Sequence, residues 1–433
     1  VRVAATASVP TTLFGILNVT TVSVTDASVA ERLGTGLELA IVLDQTDSMD
    51  DPGANGVRKI EFAKNAVRTM LDVLYAGRDT QPHLYVSVVP FARTINIGTQ
   101  NAGWLNTGGM PAGWNPARWS GCVEARTGGH DITEASPGTA PFRPYFYPNS
   151  YQQHGRYWGS NPPAGQTNAC SSSQAYPADA NGARWCMGDN DWTAPSAHRQ
   201  QNPFWQSLRD TDAPVNAGVP GVSYWGPNML CALNPIQGPT ASRAVVQAAV
   251  NAIDAPGRSG GTTTATGLQG GWFTLSPQWQ GFWQSPTGGP SLPMAYDARN
   301  MRKVLVLLSD GDNNWQGDTS VAPMRGGNEL FYNAYGRLSQ NRLPITPSSS
   351  YSTTASRADA ALDTRFASLC ASVKNSGITV YVIGFEVANS THRNLLRNCA
   401  SSADHYFESP TTAQLQTIFG QIANRIASLR LVQ

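Results

Sequence analysis

Charge is scarce in this sequence: Asp, Glu, Lys and Arg together make up 14% of 433 residues, where about 25% is usual. The two signs nearly cancel, 30 Lys and Arg against 29 Asp and Glu, for a formal charge of +1. That leaves no basic field to grip nucleic acid and no acidic tail, so nucleic acid is excluded as a default partner. Long apolar runs are missing too. The longest purely aliphatic run is Val304 to Leu308, far short of the roughly 18 residues a bilayer span needs. The six histidines fall into no H-E-x-x-H or paired spacing, and the chain holds neither a P-loop nor a C-x-x-C pair; those patterns carry metalloprotease, nucleotide and redox chemistry. Gly257-Arg258-Ser259-Gly260-Gly261 has the letters of a nucleophile elbow. An elbow needs a strand immediately before its Ser, and here a helical pattern ending near Asp254 and then Pro256-Gly257 come first. No catalytic residue is assigned, and the expectation is a protein that is not an enzyme.

Six cysteines are too few for a disulfide scaffold, but an even count in a low-charge chain with 12 Trp points to an oxidising compartment. The first residues, Val1 to Val9, alternate like a strand from the start and show no Met start or signal pattern. The expectation is a chain that begins inside a longer or processed precursor.

Periodicity divides the rest. Val1 to Val9 and Val19 to Thr25 read as two strands of a β-hairpin, closing an N-terminal β segment over residues 1–36. Leu37 to Leu43 is an apolar run of strand length that stops at Asp44, as a buried parallel strand does. Lys59 to Tyr75 has helical spacing, and Leu84 to Val89 is the next strand. From 98 to 238 the periodicity disappears, while eight of the 12 Trp and four of the six Cys fall there. A structureless loop of that length is suspect, so the stretch is read as a loop-rich inserted subdomain with an aromatic core. Regular structure resumes with a helix from Ala241 to Asp254 capped by Thr240, and then a helix after Gly260-Gly261-Thr262-Thr263-Thr264 with Leu268, Trp272 and Leu275 on one face. A strand at Val304 to Leu308, a helix through Leu362, Phe366, Leu369 and Val373, a strand at Ile378 to Phe385, a short helix at Asn394 to Cys399 and a final helix from Thr412 to Leu429 follow. Alternation of this kind predicts a mainly parallel sheet covered by helices on both faces, over residues 37–97 and 239–433. Ligands of such sheets bind beyond the carboxyl ends of the strands.

Two of the buried strands end in Asp. In Asp44-Gln45-Thr46-Asp47-Ser48-Met49 a carboxylate and two hydroxyls stand at i, i+2 and i+4, so an extended loop points all three one way. Such an all-oxygen set suits Mg²⁺, Ca²⁺ or Mn²⁺ and not zinc. Thr262 and Asp310 would join it from two further loops at the same sheet edge. The short pattern alone arises often by chance. The order of the three loops carries more: apolar strand then D-x-T-x-S-M, G-G-T-T-T before a helix, and apolar strand then S-D-G.

That order resembles the von Willebrand factor A (vWA) domain, a Rossmann-like α/β fold, and its metal-ion-dependent adhesion site (MIDAS). The resemblance implies a divalent cation, Mg²⁺ first with Ca²⁺ or Mn²⁺ as alternatives, held by Asp44, Thr46, Ser48, Thr262 and Asp310. Thr46 stands where Ser is more usual and keeps the hydroxyl. Asp47 stands where Gly is common and is expected to face solvent. Further segments, among them Gly121-Cys122-Val123-Glu124-Ala125-Arg126, Pro141-Phe142-Arg143-Pro144-Tyr145 and Leu396-Arg397-Asn398-Cys399-Ala400-Ser401, are similar to TadG-like proteins of bacterial Tad/Flp pilus systems. This implies an extracytoplasmic place, in the periplasm or at the cell surface. It also implies a role in pilus assembly, a pilus tip or adhesion, with pilin, other pilus components or a surface ligand as protein partner. Members of that family begin with a membrane-spanning helix that this chain lacks; a precursor would carry that anchor.

The reading is therefore a non-catalytic protein that binds an acidic protein ligand through a divalent metal. The alternative is a structural subunit of a surface filament, assembled through its N-terminal strands, with a purely structural metal. Cys370 and Cys399 lie near the ends of successive helices and are expected to pair, the alternative being two buried thiols. Cys122 with Cys231 and Cys170 with Cys186 is the nested pairing expected in the insertion, although 15 connectivities are open to six cysteines.

Overall fold

The computed structural model describes residues 2–10, 21–29, 35–108, 110, 119–145, 215–216, 219–223, 231, 234–255, 261–284, 289–315, 333–336, 341–346, 351–409 and 411–431. In chain order the strands are β1 (Arg2–Pro10), β2 (Thr21–Val29), β3 (Gly36–Asp44), β4 (Leu84–Phe91), β5 (Ile95–Asn96), β6 (Cys122–Val123), β7 (Val215–Asn216), β8 (Val219–Ser223), β9 (Gln237–Thr240), β10 (Met301–Ser309), β11 (Thr379–Phe385) and β12 (Tyr406–Ser409). The α-helices are α1 (Lys59–Tyr75), α2 (Arg243–Ala252), α3 (Thr264–Phe273), α4 (Tyr351–Asn375), α5 (Ser390–Cys399) and α6 (Thr412–Leu431).

The central sheet runs β12-β11-β10-β3-β4-β5-β6, with β9 also pairing β4. From β12 to β4 every pairing is parallel, and the short β5, β6 and β9 are antiparallel. The chain goes from β3 through α1 to β4 on one side and returns to β10 on the other. The strand order therefore reverses at β3, and β3 and β10 flank the crevice where such sheets bind ligands. The fold is the expected Rossmann-like α/β arrangement.

Period-2 alternation decides which helix covers which face. Leu37, Leu39, Ile41 and Leu43 of β3 pack in one buried cluster with α1, α2 and α6. Ala40 and Val42 point the other way, into a cluster with α3, α4 and α5. α3 is buried around its whole circumference, not on the single face expected. It lies flush on the sheet because Gly267 and Gly271 face it. A Cβ at Gly267 would sit 2.3 Å from Phe91 Cγ, and one at Gly271 2.6 Å from Val42 Cγ2.

The outer side of α3 is covered from the 98–238 stretch and from the loop after α3. Trp119, Phe142, Phe273 and Trp279 are buried, with Phe273 and Trp279 stacked at 4.2 Å and Trp104 edge-on to Trp283 at 5.0 Å. Of the tryptophans in that stretch two are described: Trp119 is buried and Trp104 is partly buried against the same cluster. Cys122 bonds Cys231 and Cys370 bonds Cys399, with Cα separations of 5.6 and 5.1 Å. The expected Cys170–Cys186 pair lies outside the described residues, as does most of the Gly257–Gly261 elbow pattern.

Several boundaries differ from expectation for local reasons. α2 begins at Arg243 because Ser242, not Thr240, accepts the cap hydrogen bond, from Val245 N–H at 3.3 Å. α5 begins at Ser390, four residues early, because Asn389 accepts from Thr391 N–H at 2.9 Å. β12, four residues long, carried no sequence signal. β1 and β2 form the expected antiparallel ribbon, Thr6 opposite Thr25, in a sheet of their own. Among the described residues no helix is long and apolar enough to cross a membrane.

Candidate metal centre

β3 delivers Asp44 to the crevice with no exposed surface. Beyond it the chain stays extended through Thr46, at φ −71° and ψ 172°, and then closes into one 3-10 turn, Asp47–Asp50. The extended step places Thr46 back over Asp44: its N–H and its hydroxyl donate to Oδ1 at 2.9 and 2.6 Å. Ser309, the last residue of β10, donates to Oδ2 at 2.9 Å. Ser48 Oγ lies 3.2 Å from Thr46 Oγ1 and donates to Asp310 Oδ1 at 2.7 Å.

The contacts Asp44–Thr46, Thr46–Ser48 and Ser48–Asp310 are three, but the two hydroxyls supply two protons. Thr46 gives its proton to Asp44 and Ser48 gives its proton to Asp310. Either hydroxyl can be the donor of the Thr46–Ser48 contact; when both donate to the carboxylates, their remaining lone pairs face one another. The pKa of Asp44 is pushed up to about 7, by burial first and by the Asp310 charge second, against the hydrogen bonds from Thr46 and Ser309. Burial also raises Asp310, opposed by Lys59 and Ser48. Two carboxylates and two hydroxyls with lone pairs turned toward one another fit a hard divalent cation. Among the described residues no group of three or more His, Cys, Asp or Glu gathers to hold a metal.

Thr262 reaches the same place from the loop before α3. Gly261 takes φ +86°, and a Cβ there would meet Asn314 O at 3.0 Å. This close approach lets Thr262 and Asn314 exchange backbone hydrogen bonds at 3.1 and 2.9 Å, tying the second loop to the third. Thr262 lines the same cleft as Thr46, Ser48 and Asp310, but no hydrogen bond joins its hydroxyl to theirs. Four of the five expected residues thus form one hydrogen-bonded chain, and the fifth stands on the cleft wall. Asp47, expected to face solvent, is half-buried and lines the cleft.

The cleft holds about 640 Å³ and is acidic: Asp47, Asp51, Asp310, Asp312 and Glu386 line it. One ammonium that local sequence did not single out lies among them. Lys59 Nζ is 3.3 Å from Asp310 Oδ2 and 3.3 Å from Glu386 Oε2. Burial opposes its charge, yet the two carboxylates raise its pKa above the ordinary value.

No family model matches the chain, and no curated protein does. Among solved structures, the vWF domain of the type V pili tip protein Mfa5 from Porphyromonas gingivalis aligns with 91% of this chain and 96% of its own, at 12% identity and a TM-score of 0.41. The pilus adhesin SpaC from Lactobacillus rhamnosus GG aligns with 92% of this chain and 31% of its own, at 12% identity and 0.36. Proximal thread matrix protein 1 from the mussel byssus, with a zinc-occupied MIDAS motif, aligns with 91% of this chain and 46% of its own, at 12% identity and 0.35.

Proposed function

We propose that this protein is a non-catalytic binding protein whose switch-point cleft takes a divalent cation, Mg²⁺ first, and through it an acidic group of a protein partner. The observation that carries the reading is the hydrogen-bonded chain Asp44–Thr46–Ser48–Asp310, which gathers two carboxylates and two hydroxyls at the end of the sheet. With each hydroxyl donating to a carboxylate, lone pairs on both are left for a cation. Asp44, Thr46 and Ser48 would hold the ion, Thr262 would add a hydroxyl, and Asp310 would act directly or through water. When bound, the ion supplies a Lewis-acid position that a partner carboxylate can fill. The acidic wall repels such a partner from the metal-free protein, so binding is conditional on the cation.

The similarity of the Gly121–Arg126, Pro141–Tyr145 and Leu396–Ser401 segments to TadG-like proteins supports a place in an extracytoplasmic pilus apparatus, in assembly, at the tip or in adhesion. The two disulfides are in keeping with an oxidising compartment. The 98–238 stretch, joined near its ends by Cys122–Cys231, would form the inserted subdomain beside residues 37–97 and 239–433, with 1–36 as the N-terminal segment.

Calorimetric titration with Mg²⁺, Mn²⁺ and Ca²⁺, alongside Asp44→Ala and Asp310→Ala, tests the site. Saturable binding that both substitutions weaken is the expected result, followed by EDTA-reversible capture of immobilised Glu-containing peptides. The β1–β2 ribbon, in a sheet of its own, favours a second reading as a filament subunit. Under that reading, deleting residues 1–9 stops assembly and Asp44→Ala does not.

A further inference from the structure

Lys59 is the first residue of α1, yet its side chain reaches across the crevice to the ends of two other elements. Asp310 follows β10 and Glu386 follows β11, and the ammonium stands 3.3 Å from a carboxylate oxygen of each. Its side chain is 13% exposed, and that of Asp310 has no exposure. Both oxygens of Asp310 are therefore engaged, Oδ1 by Ser48 and Oδ2 by Lys59. Glu386 is held at φ +53°, a left-handed conformation that costs a side-chain-bearing residue about 1 kcal/mol or more and that glycine would adopt freely. The backbone at this corner is pinned by Glu386 N–H donating to Ser409 O at 2.8 Å. A carboxylate thus stands at a position whose backbone suits glycine, and its described partner is Lys59.

We propose that Lys59 is a tethered counter-cation that competes with the divalent ion for Asp310, and that Glu386 is the carboxylate that retains the ammonium when Asp310 turns to the metal. The inference rests on the metal-binding reading of the cleft. Its electrostatics are simple. Of the carboxylates nearest the ion, Asp44, Asp310 and Glu386 sum to three negative charges and Lys59 returns one. A bound dication therefore neutralises this inner group, while Asp47, Asp51 and Asp312 keep the rest of the wall acidic. Without Lys59 the loaded inner group would carry a net negative charge: it would hold its ion more tightly and repel an acidic partner. Lys59 thus trades ion affinity for receptiveness to an anionic ligand.

The test is calorimetric titration of the full chain with Mg²⁺ and Mn²⁺ in four forms: wild type, Lys59→Met, Glu386→Gln and the double variant. Removing a like charge within several ångströms of a dication is expected to tighten Lys59→Met by about tenfold or more. Glu386→Gln, which leaves Lys59 with Asp310 alone, is expected to loosen binding, and to do so less in the Lys59→Met background. Circular dichroism establishes that each variant is folded, and Glu386→Gln alone carries the test if Lys59→Met is not. A wild type that binds metal, with Lys59→Met binding equally or less tightly, overturns the competition and leaves the metal site standing. A Glu386→Gln effect of the same size in both backgrounds overturns the role of Glu386. A wild type and a Lys59→Met variant that both bind nothing overturn the metal reading and this inference with it.

Discussion

Replacing Asp44 by Asn should stabilise the metal-free protein while removing its response to divalent cations. The Asp44 carboxyl is fully buried, and its pKa stands at about 7 against an ordinary 3.8. The folded protein therefore holds this proton more tightly than the unfolded chain does. The cost of the bare carboxylate is absent below about pH 4, grows between about pH 4 and 7, and is constant above. Roughly three pK units correspond to on the order of 4 kcal/mol at pH 8. Asn retains an oxygen for the Thr46 N–H and hydroxyl, and its amide faces Ser309, whose hydroxyl can turn to accept. For a chain of this length 1 kcal/mol moves the melting point by roughly 1 °C. In EDTA at pH 8 the variant should thus melt a few degrees above wild type, and the gap should close as pH falls toward 4. Mg²⁺ at a hundred times its Kd should stabilise wild type by about 2.7 kcal/mol and the variant not at all. Differential scanning calorimetry at both pH values, with and without Mg²⁺, measures this. A variant less stable than wild type in EDTA at pH 8, or one that still responds to Mg²⁺, would refute the reasoning.

Asp359, which accepts from Trp315 N–H at 2.7 Å, has its pKa raised to about 6, by burial first. Its charge is a cost above about pH 6 that vanishes below about pH 4, so Asp359→Asn should gain roughly 2–3 kcal/mol in urea titrations at pH 7.5 and nothing near pH 4. Gly267→Ala forces a methyl against Phe91 and should cost about 1–3 kcal/mol, read as a lower denaturation midpoint with an unchanged slope. Replacing Cys370 and Cys399 by Ser opens a 29-residue separation and should cost roughly 3–4 kcal/mol on the chain-entropy estimate, measured by equilibrium unfolding against the oxidised wild type.

Local pattern determined much of this protein. The apolar runs ending at Asp44 and Ser309 are strands because uninterrupted Val, Leu and Ile are stable only when buried on both faces, and α1 has the residues its 3.6-residue spacing marks. The grouping of the hydroxyls at 46 and 48 with Asp44 was legible from their spacing, although the chain is extended only through Thr46 and Ser48 arrives from the 3-10 turn Asp47–Asp50. Tertiary structure decided the rest. The Ser48–Asp310 bond joins residues 262 apart, and only the reversal of strand order at β3 brings their loops together. Sequence spacing could not show that α3 is buried all round, since this depends on aromatic side chains from before and after it in the chain. Nor could it find Lys59 or Glu386, whose meeting depends on the ends of α1, β10 and β11 converging at one edge of the sheet. A charge on a helix looks like any solvated charge until the fold fixes its neighbours, and those neighbours set its energy.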